Sequence, residues 1–191
     1  MPIFRTLVNA LGDVSSTFIE AAKLAVPGAT SSYSRLIPLG SGHAISTDWS
    51  KIDQTNKYAW QQSGGLSTTS PLVFELGGLI PSFCRLTGFT CSIDPTDGHA
   101  SIPATRPRVV IARMPRISSP ITSWSELSEV NDGAASVAAY NAAHYVSSSS
   151  LNIAASWNEA YEHALIIYGE GGAGAIAGLT VNSVVVTIAP Y

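Results

Sequence analysis

Apolar residues recur with two different periods along the chain, and the change of period divides it. Over residues 3–26, Phe4, Leu7, Leu11, Val14, Phe18, Ala21 and Ala25 return every three or four positions, with Arg5, Asp13, Glu20 and Lys23 mostly between them. That spacing predicts an amphipathic helix, interrupted near Gly12 to Ser16 and ended by Pro27-Gly28. From Thr30 to Thr69 no period persists. Ser, Gly and Thr dominate there, with Trp49, Tyr58 and Trp60 set among polar residues. An irregular stretch of this length is uncommon inside a compact domain unless it is functional or lies along another surface, and its aromatics argue against disorder. It reads as an extended connecting arm with one short strand around Tyr33 to Leu39.

From Leu66 the period falls to two. Strands are expected over Pro71 to Ile80 and over Phe83 to Asp94, the second with Phe83, Arg85, Thr87, Phe89, Cys91 and Ile93 on one side. Asp94-Pro-Thr-Asp-Gly98 is a turn that Asp and Pro initiate and Gly completes. Arg108 to Met114 is a third strand. Pro115 to Glu129 reads as a loop holding Trp124, with one helical turn at Ser123 to Leu127, and Ser136 to Asn141 as another short turn. His144 to Ser148 and Leu151 to Ala155 are further short strands. The strongest signal is C-terminal: His163 to Tyr168, the glycine run Gly169-Glu-Gly-Gly-Ala-Gly174, then Leu179 to Tyr191, together predicting a hairpin. Period two places Leu179, Val181, Ser183 and Val185 on one face of the last strand and Thr180, Asn182, Val184, Val186 and Ile188 on the other. From Val184 both faces are apolar, so this hairpin should be a central pair lying between layers or under a neighbouring chain.

About seven or eight short strands with Gly and Pro punctuation, and no long helices between them, define the expected fold. It is all-β, an antiparallel β-sandwich, jelly-roll-like or Ig-like, over residues 66–191. Residues 1–65 form an N-terminal helix and extended arm. The helix either packs on its own domain or docks on a neighbouring subunit.

Composition narrows the function. Charged residues make up 12% of the 191, against roughly 25% in a typical soluble domain. Polarity comes from Ser and Thr instead, which suits strands and also suits surfaces buried against copies of the same chain. A net charge of -3 does not neutralise a phosphate backbone, so nucleic acid is not expected as a main partner. The start of the chain has no apolar run of signal-peptide type, and no run reaches the roughly 18 apolar residues of a membrane span. Cys84 and Cys91 are expected to point to opposite faces of one strand as buried free thiols, which fits synthesis in a reducing cytoplasm.

Candidate chemistry is thin. Gly169 to Gly174 satisfies G-x-G-x-x-G after a strand, but a dinucleotide site needs a helix at the third glycine and an acid about twenty residues on. A strand follows and the sequence stops at Tyr191, so the run reads as a connection. His43, His99, His144 and His163 lack zinc spacing; Asp94, Asp97 and Asp132 lack a calcium-loop pattern; no serine lies in G-x-S-x-G. No catalytic residue, cofactor or metal site is expected. Arg106, Arg108, Arg113 and Arg116 could form an anion patch or pair with Glu126, Glu129 or Asp132 of a neighbour. Trp49, Trp60, Trp124 and Trp157 could serve as a sugar platform or as core and interface anchors.

Three phrases carry a resemblance: Asp94-Pro-x-x-Gly98-His-Ala-x-Ile-Pro-Ala-Thr-x-Pro107, Ser136-Val-Ala-Ala-Tyr-Asn-Ala-Ala-His144, and Tyr168 through Gly178-Leu. They are similar to segments of uncharacterised β-sandwich proteins encoded by tailed bacteriophages and related mobile elements, over about residues 66–191. The resemblance implies a virion structural protein without catalysis: a capsid, decoration, spike or tail component, made in the host cytoplasm and located in the virion. It would assemble with itself and other virion proteins; the pattern of the arm and the last strand, apart from the resemblance, puts Phe4, Leu7, Leu11, Phe18, Trp49, Trp60, Val185 and Thr187 at subunit contacts. The alternative is a carbohydrate-binding β-sandwich module for surface attachment, with a glycan as its partner.

Overall fold

A computed structural model describes residues 32–54, 57–62, 71–77, 79–80, 84–95, 98–115, 124–154, 161–176 and 178–190. The chain forms an antiparallel β-sandwich. Its strands are β1 (Tyr33–Ile37), β2 (His43–Ala44), β3 (Trp49–Gln54), β4 (Lys57–Gln62), β5 (Pro71–Glu75), β6 (Cys84–Pro95), β7 (Arg108–Pro115), β8 (Ser125–Asn131), β9 (His144–Ser148), β10 (Ile153–Ala154), β11 (Tyr161–Tyr168) and β12 (Leu179–Pro190). One short helix, α1 (Val137–Tyr140), lies between β8 and β9; the Ser136 side chain caps it by accepting from the Ala139 N–H at 3.2 Å.

Among the described residues one sheet has seven strands in the order β10-β6-β12-β4-β3, with β1 also paired to β12 and β9 to β6. The other has five, in the order β2-β5-β11-β7-β8. The core lies between the sheets. Leu72, Phe74, Val109, Ile111, Leu165 and Ile167 of the smaller sheet meet Leu86, Phe89, Cys91, Ile93, Val184, Val186 and Ile188 of the larger one. Val73, Val110, Ala112, Ala164 and Ile166, on the opposite face of the smaller sheet, are buried too, with Trp124 and Tyr168 packed against them. This is why Ala-Leu-Ile-Ile reads as apolar on both sides. Each fully buried side chain of this size contributes about 1.5–3 kcal/mol by leaving water. No helix among the described residues is long and apolar enough to cross a membrane.

Four features differ from the expected pattern. First, β11 and β12 do not form a hairpin. Each is central, but β11 pairs with β5 and β7 while β12 pairs with β6, β1 and β4. The glycine-rich connection therefore crosses from one sheet to the other, with Gly172, Gly174 and Gly178 at positive φ.

Second, the stretch expected to run as an arm supplies strands. β1 adds to β12, β2 to β5, and the β3–β4 pair to β12. Its pattern is hard to read because the inward residues Ile37, Trp49 and Trp60 are far apart and separated by polar positions. The helix expected over residues 3–26 lies outside the described residues.

Third, Ser123 to Leu127 does not make a helical turn at its described end; Ser125 opens the exposed edge strand β8.

Fourth, two irregularities reset the period-two reading. In β6 the pairing passes from Gly88 to Leu86, skipping Thr87, so Cys84, Leu86, Phe89, Cys91 and Ile93 all face the core. Cys84 and Cys91 are thus free and buried on the same face, and burial raises both thiol pKa values. In β12 the pairing with β6 passes from Val181 to Ser183, skipping Asn182. That bulge puts Leu179 and Val181 on the same inward face as Val184, Val186 and Ile188.

Candidate functional site

The bulge at Asn182 coincides with a change of partner on the other flank of β12. β4 pairs with Thr180 and Val181, and β1 takes over from Val184 to Ile188. Between the ends of β1 and β4 a groove of about 470 Å³ opens, lined by Leu36, Ile37, Pro38, Leu39, Gly40, Tyr58, Asn182 and Ser183. Its size falls in the range of roughly 300–1,000 Å³ usual for small-ligand sites. Tyr58 is 58% exposed and Leu36 64% exposed, so two of its walls are apolar surface left in water. Half-buried Asn182 and Ser183 supply the polar part, and neither side chain has a hydrogen-bond partner among the described residues. One rim of the groove is held from beneath: the Trp60 Nε1–H donates to the Leu39 carbonyl at 2.9 Å, and Lys51 Nζ donates to the Gly40 carbonyl at 3.0 Å.

Tyr58 shares the parity of Trp60, the partner of core-facing Val181, whereas Leu36 and Ser183 of the groove lie on the outward face of the larger sheet. There Ser183 stands opposite Ser92, and Ser92 opposite Tyr145; in the next row Leu36, Val185, Thr90 and Ser147 are successive partners. None of these seven residues carries a charge. Tyr145 is 69% exposed, whereas Val146 beside it is buried in the core.

At one end of the sandwich lies a second polar cluster, and it is closed. The side chains of His99 and Glu170 are 1% and 0% exposed, with His99 Nε2 2.5 Å from Glu170 Oε2. His99 Nδ1 faces Asn141 Oδ1 at 3.2 Å, and the Tyr140 hydroxyl donates to Glu170 Oε2 at 3.4 Å. His144 Nε2 lies 3.1 Å from Asp132 Oδ1, and Arg106 donates to the Asp132 and Ala134 carbonyls. Burial raises the Tyr140 hydroxyl pKa well above its ordinary value, with the Glu170 and Asp132 charges adding to it. Burial also raises the Glu170 carboxyl, and the His99 hydrogen bond and charge pull it back. The cluster fastens the 98–107 loop, α1 and the glycine connection together. It offers no opening to a substrate.

The residues singled out from the sequence fall in several places. Trp49 and Trp60 are 4% and 5% exposed, so they anchor this chain's own core and present no aromatic surface to a neighbour. Val185 and Thr187 are half-buried on the outward face. Phe4, Leu7, Leu11, Phe18 and Trp157 lie outside the described residues, as does Arg116. The other arginines of the cluster are engaged within the chain. Arg108 bonds Glu129 at 3.0 Å and lies 3.7 Å from Glu126, its guanidinium 4.2 Å from the Tyr168 ring centroid, while Arg113 sits 4.8 Å from that of Tyr161. No group of three or more His, Cys, Asp or Glu among the described residues could hold a metal.

Tyr58, Leu36, Asn182 and Tyr145 escaped the sequence reading. A weak signal was present in His144-Tyr-Val-Ser-Ser148, where Val146 in the core forces Tyr145 outward onto a polar face.

No protein-family model matches the chain, and no curated protein matches it. Solved structures do. A CBM22-2 xylan-binding domain of Xyn10C from Paenibacillus barcinonensis is similar over 83% of this chain and 99% of its own, at 10% identity and a TM-score of 0.50. The xylan-binding module CBM15 covers 84% of this chain and 99% of its own at 13% identity and a TM-score of 0.48. The CBM22-1 domain of the same Paenibacillus Xyn10C covers 85% and 97% at 11% identity and 0.42. At these identities the likeness is one of fold. The expectation of a virion structural protein is corrected here: the CBM22-2 domain is a xylan-binding domain, and its likeness favours the alternative reading of the sequence.

Proposed function

We propose that the chain is a non-catalytic carbohydrate-binding β-sandwich module whose site is the groove between β1 and β4. The observation that carries this reading is the pairing, in one groove without a charged lining residue, of an exposed tyrosine and aliphatic walls with an amide and a hydroxyl that have no partner among the described residues. A pyranose ring has the complementary surface, with apolar C–H faces and a rim of hydroxyls. Tyr58, Leu36, Pro38 and Leu39 would take the face, and Asn182 and Ser183 the rim. The site has no charged lining residue, which fits a neutral sugar rather than a uronic acid or a phosphorylated one. The shared sandwich supports the reading, and its likeness to the xylan-binding CBM22-2 domain makes xylan the first glycan to try.

Native electrophoresis through gels containing xylan, mixed-linkage β-glucan or starch tests it. Migration should be retarded by at least one of these neutral polysaccharides and restored by soluble oligosaccharide added to the gel. Unchanged mobility in all three, with no heat of binding to their oligosaccharides, would overturn the reading.

A further inference from the structure

We infer that the free flank of β3 is a docking edge for the same strand of a second copy of the chain, paired antiparallel about a two-fold axis at Ile52, in the one register that sets each Lys51 opposite the other copy's Asp53. This does not depend on the carbohydrate reading.

β3 ends the larger sheet and pairs on one flank only, with β4. In an antiparallel strand the main-chain groups of alternate residues turn to opposite flanks. On β4 the Gln62 carbonyl receives the Gly178 N–H at 2.8 Å, on the flank of β12, so Gln61 and Ala59 turn theirs to β3. Their partners there are Ser50 and Ile52. The N–H and C=O of Lys51 and Asp53 therefore point away from β4, and among the described residues no main-chain or side-chain group receives them. Lys51 and Asp53 are exposed and Ile52 is half-buried. Such a row of unpaired main-chain groups is a template for another strand.

The charges select the occupant and the register. Only residues whose main-chain groups face outward can exchange hydrogen bonds across this edge, so two copies centred on it meet Lys51 to Lys51, Asp53 to Asp53, or Lys51 to Asp53. Like charges directly opposite destabilise the first two. The mixed register engages every outward N–H and C=O of Lys51 and Asp53 in both copies, sets their side chains in opposite-charge pairs on one face, and brings Ile52 against Ile52 on the other in the closely spaced pair. Lys51 Nζ donates to the Gly40 carbonyl at 3.0 Å, and an ammonium has further protons for a carboxylate. A lysine on a strand edge ordinarily wards off other strands. Here Asp53, two positions on, makes the edge fit its own copy, and a two-fold contact closes at two chains. The edge strand of the smaller sheet, β8, lacks this property: Ser125–Asn131 holds Glu126 and Glu129 and no basic residue, so it repels itself.

The test is sedimentation equilibrium of the full chain from about 10 to about 500 µM, a range suited to a small interface. The weight-average mass of the parent should climb toward that of two chains, and amide exchange at Lys51 and Asp53 should slow as it does. Lys51→Asp makes the edge wholly acidic, and Asp53→Lys makes it wholly basic. Each variant alone should stay a single chain throughout, while an equimolar mixture of the two should associate at least as strongly as the parent. Thermal melts check that both fold; if either does not, exchange in the parent decides alone. A parent of constant single-chain mass overturns the proposal. So does association that survives in either variant, a mixture of folded variants that stays apart, or parent association that leaves exchange at Lys51 and Asp53 unchanged.

Discussion

The side chain of Gln62 occupies both main-chain polar groups of Glu170: its Nε2–H donates to the Glu170 carbonyl at 3.0 Å, and its Oε1 accepts from the Glu170 N–H at 3.1 Å. A primary amide here does the work of a strand neighbour. Both residues are buried, and the Gln62 carbonyl also receives the Gly178 N–H at 2.8 Å, so one residue of β4 fastens the two ends of the glycine connection.

Replacing that amide should be expensive. Gln62→Ala removes two hydrogen bonds and strands a buried N–H and C=O, each worth about 1–3 kcal/mol when left unsatisfied. We expect a loss of at least about 2 kcal/mol by urea denaturation. Gly169→Ala should fail in the same way, because a Cβ there would run into the Gln62 side chain. A Gln62→Ala chain as stable as the parent would show that the connection is held elsewhere.

Acid should act on the neighbouring pair. Burial raises Glu170 above its ordinary value of 4.5, and His99 and Tyr140 only partly offset this. A carboxyl that ionises less readily folded than unfolded makes the folded state hold the extra proton. Its contribution to stability is therefore fully present below about pH 4.5 and declines as pH rises through the folded value. The stability of the parent minus that of Glu170→Gln should fall as pH is raised from about 4 to about 7, read from denaturant melts of both chains at each pH. A difference that stays flat would mean that this proton is not linked to folding.

Binding should depend on Tyr58 far more than stability does. Its ring is 58% exposed, so Tyr58→Ala removes little from the core. We expect the melting temperature to stay near that of the parent and affinity for the retained polysaccharide to drop about tenfold or more, ~1.4 kcal/mol. Calorimetry beside a thermal melt separates the two effects.

Adjacent positions in β12 should respond oppositely to a charge. Val186 is fully buried between the sheets, and Thr187 is half-buried on the outward face. Val186→Asp should unfold the domain, since an unpaired carboxylate costs several kcal/mol out of a total of about 5–15. Thr187→Asp should shift stability by under about 1 kcal/mol. Circular dichroism on both decides it, and two equal losses would mean that the outward face is covered at that point.

The strands between Pro71 and Pro190, the exposed β8 excepted, were legible because Leu, Val and Ile alternate with Ser and Thr there, and their centrality showed in the apolar runs of β11 and β12. Their partners were not legible. A glycine-rich connection between two apolar strands suggests a hairpin, and nothing local in Gly169 to Gly178 reveals that Gln62, over a hundred positions away in sequence, holds it open across two sheets. Parity failed for the same kind of reason. The bulges at Thr87 and Asn182 exist only relative to a facing strand, so Cys84 was placed on the wrong side and Asn182 on a regular face. The site was the least visible part. Tyr58 and Tyr145 are ordinary residues of polar stretches, and what sets them apart is their exposure, which only the packing of the strands reveals.

Because the groove is the gap left where two strands share one flank of a third, its mouth is shaped by main-chain pairing on three sides. The lining side chains write on that opening without defining it. Substitutions at Leu36, Leu39, Tyr58 and Ser183 would therefore change what is recognised inside a constant aperture, whereas deleting Asn182 would bring β12 into continuous register with β6 and reshape the aperture while leaving every other wall residue in place.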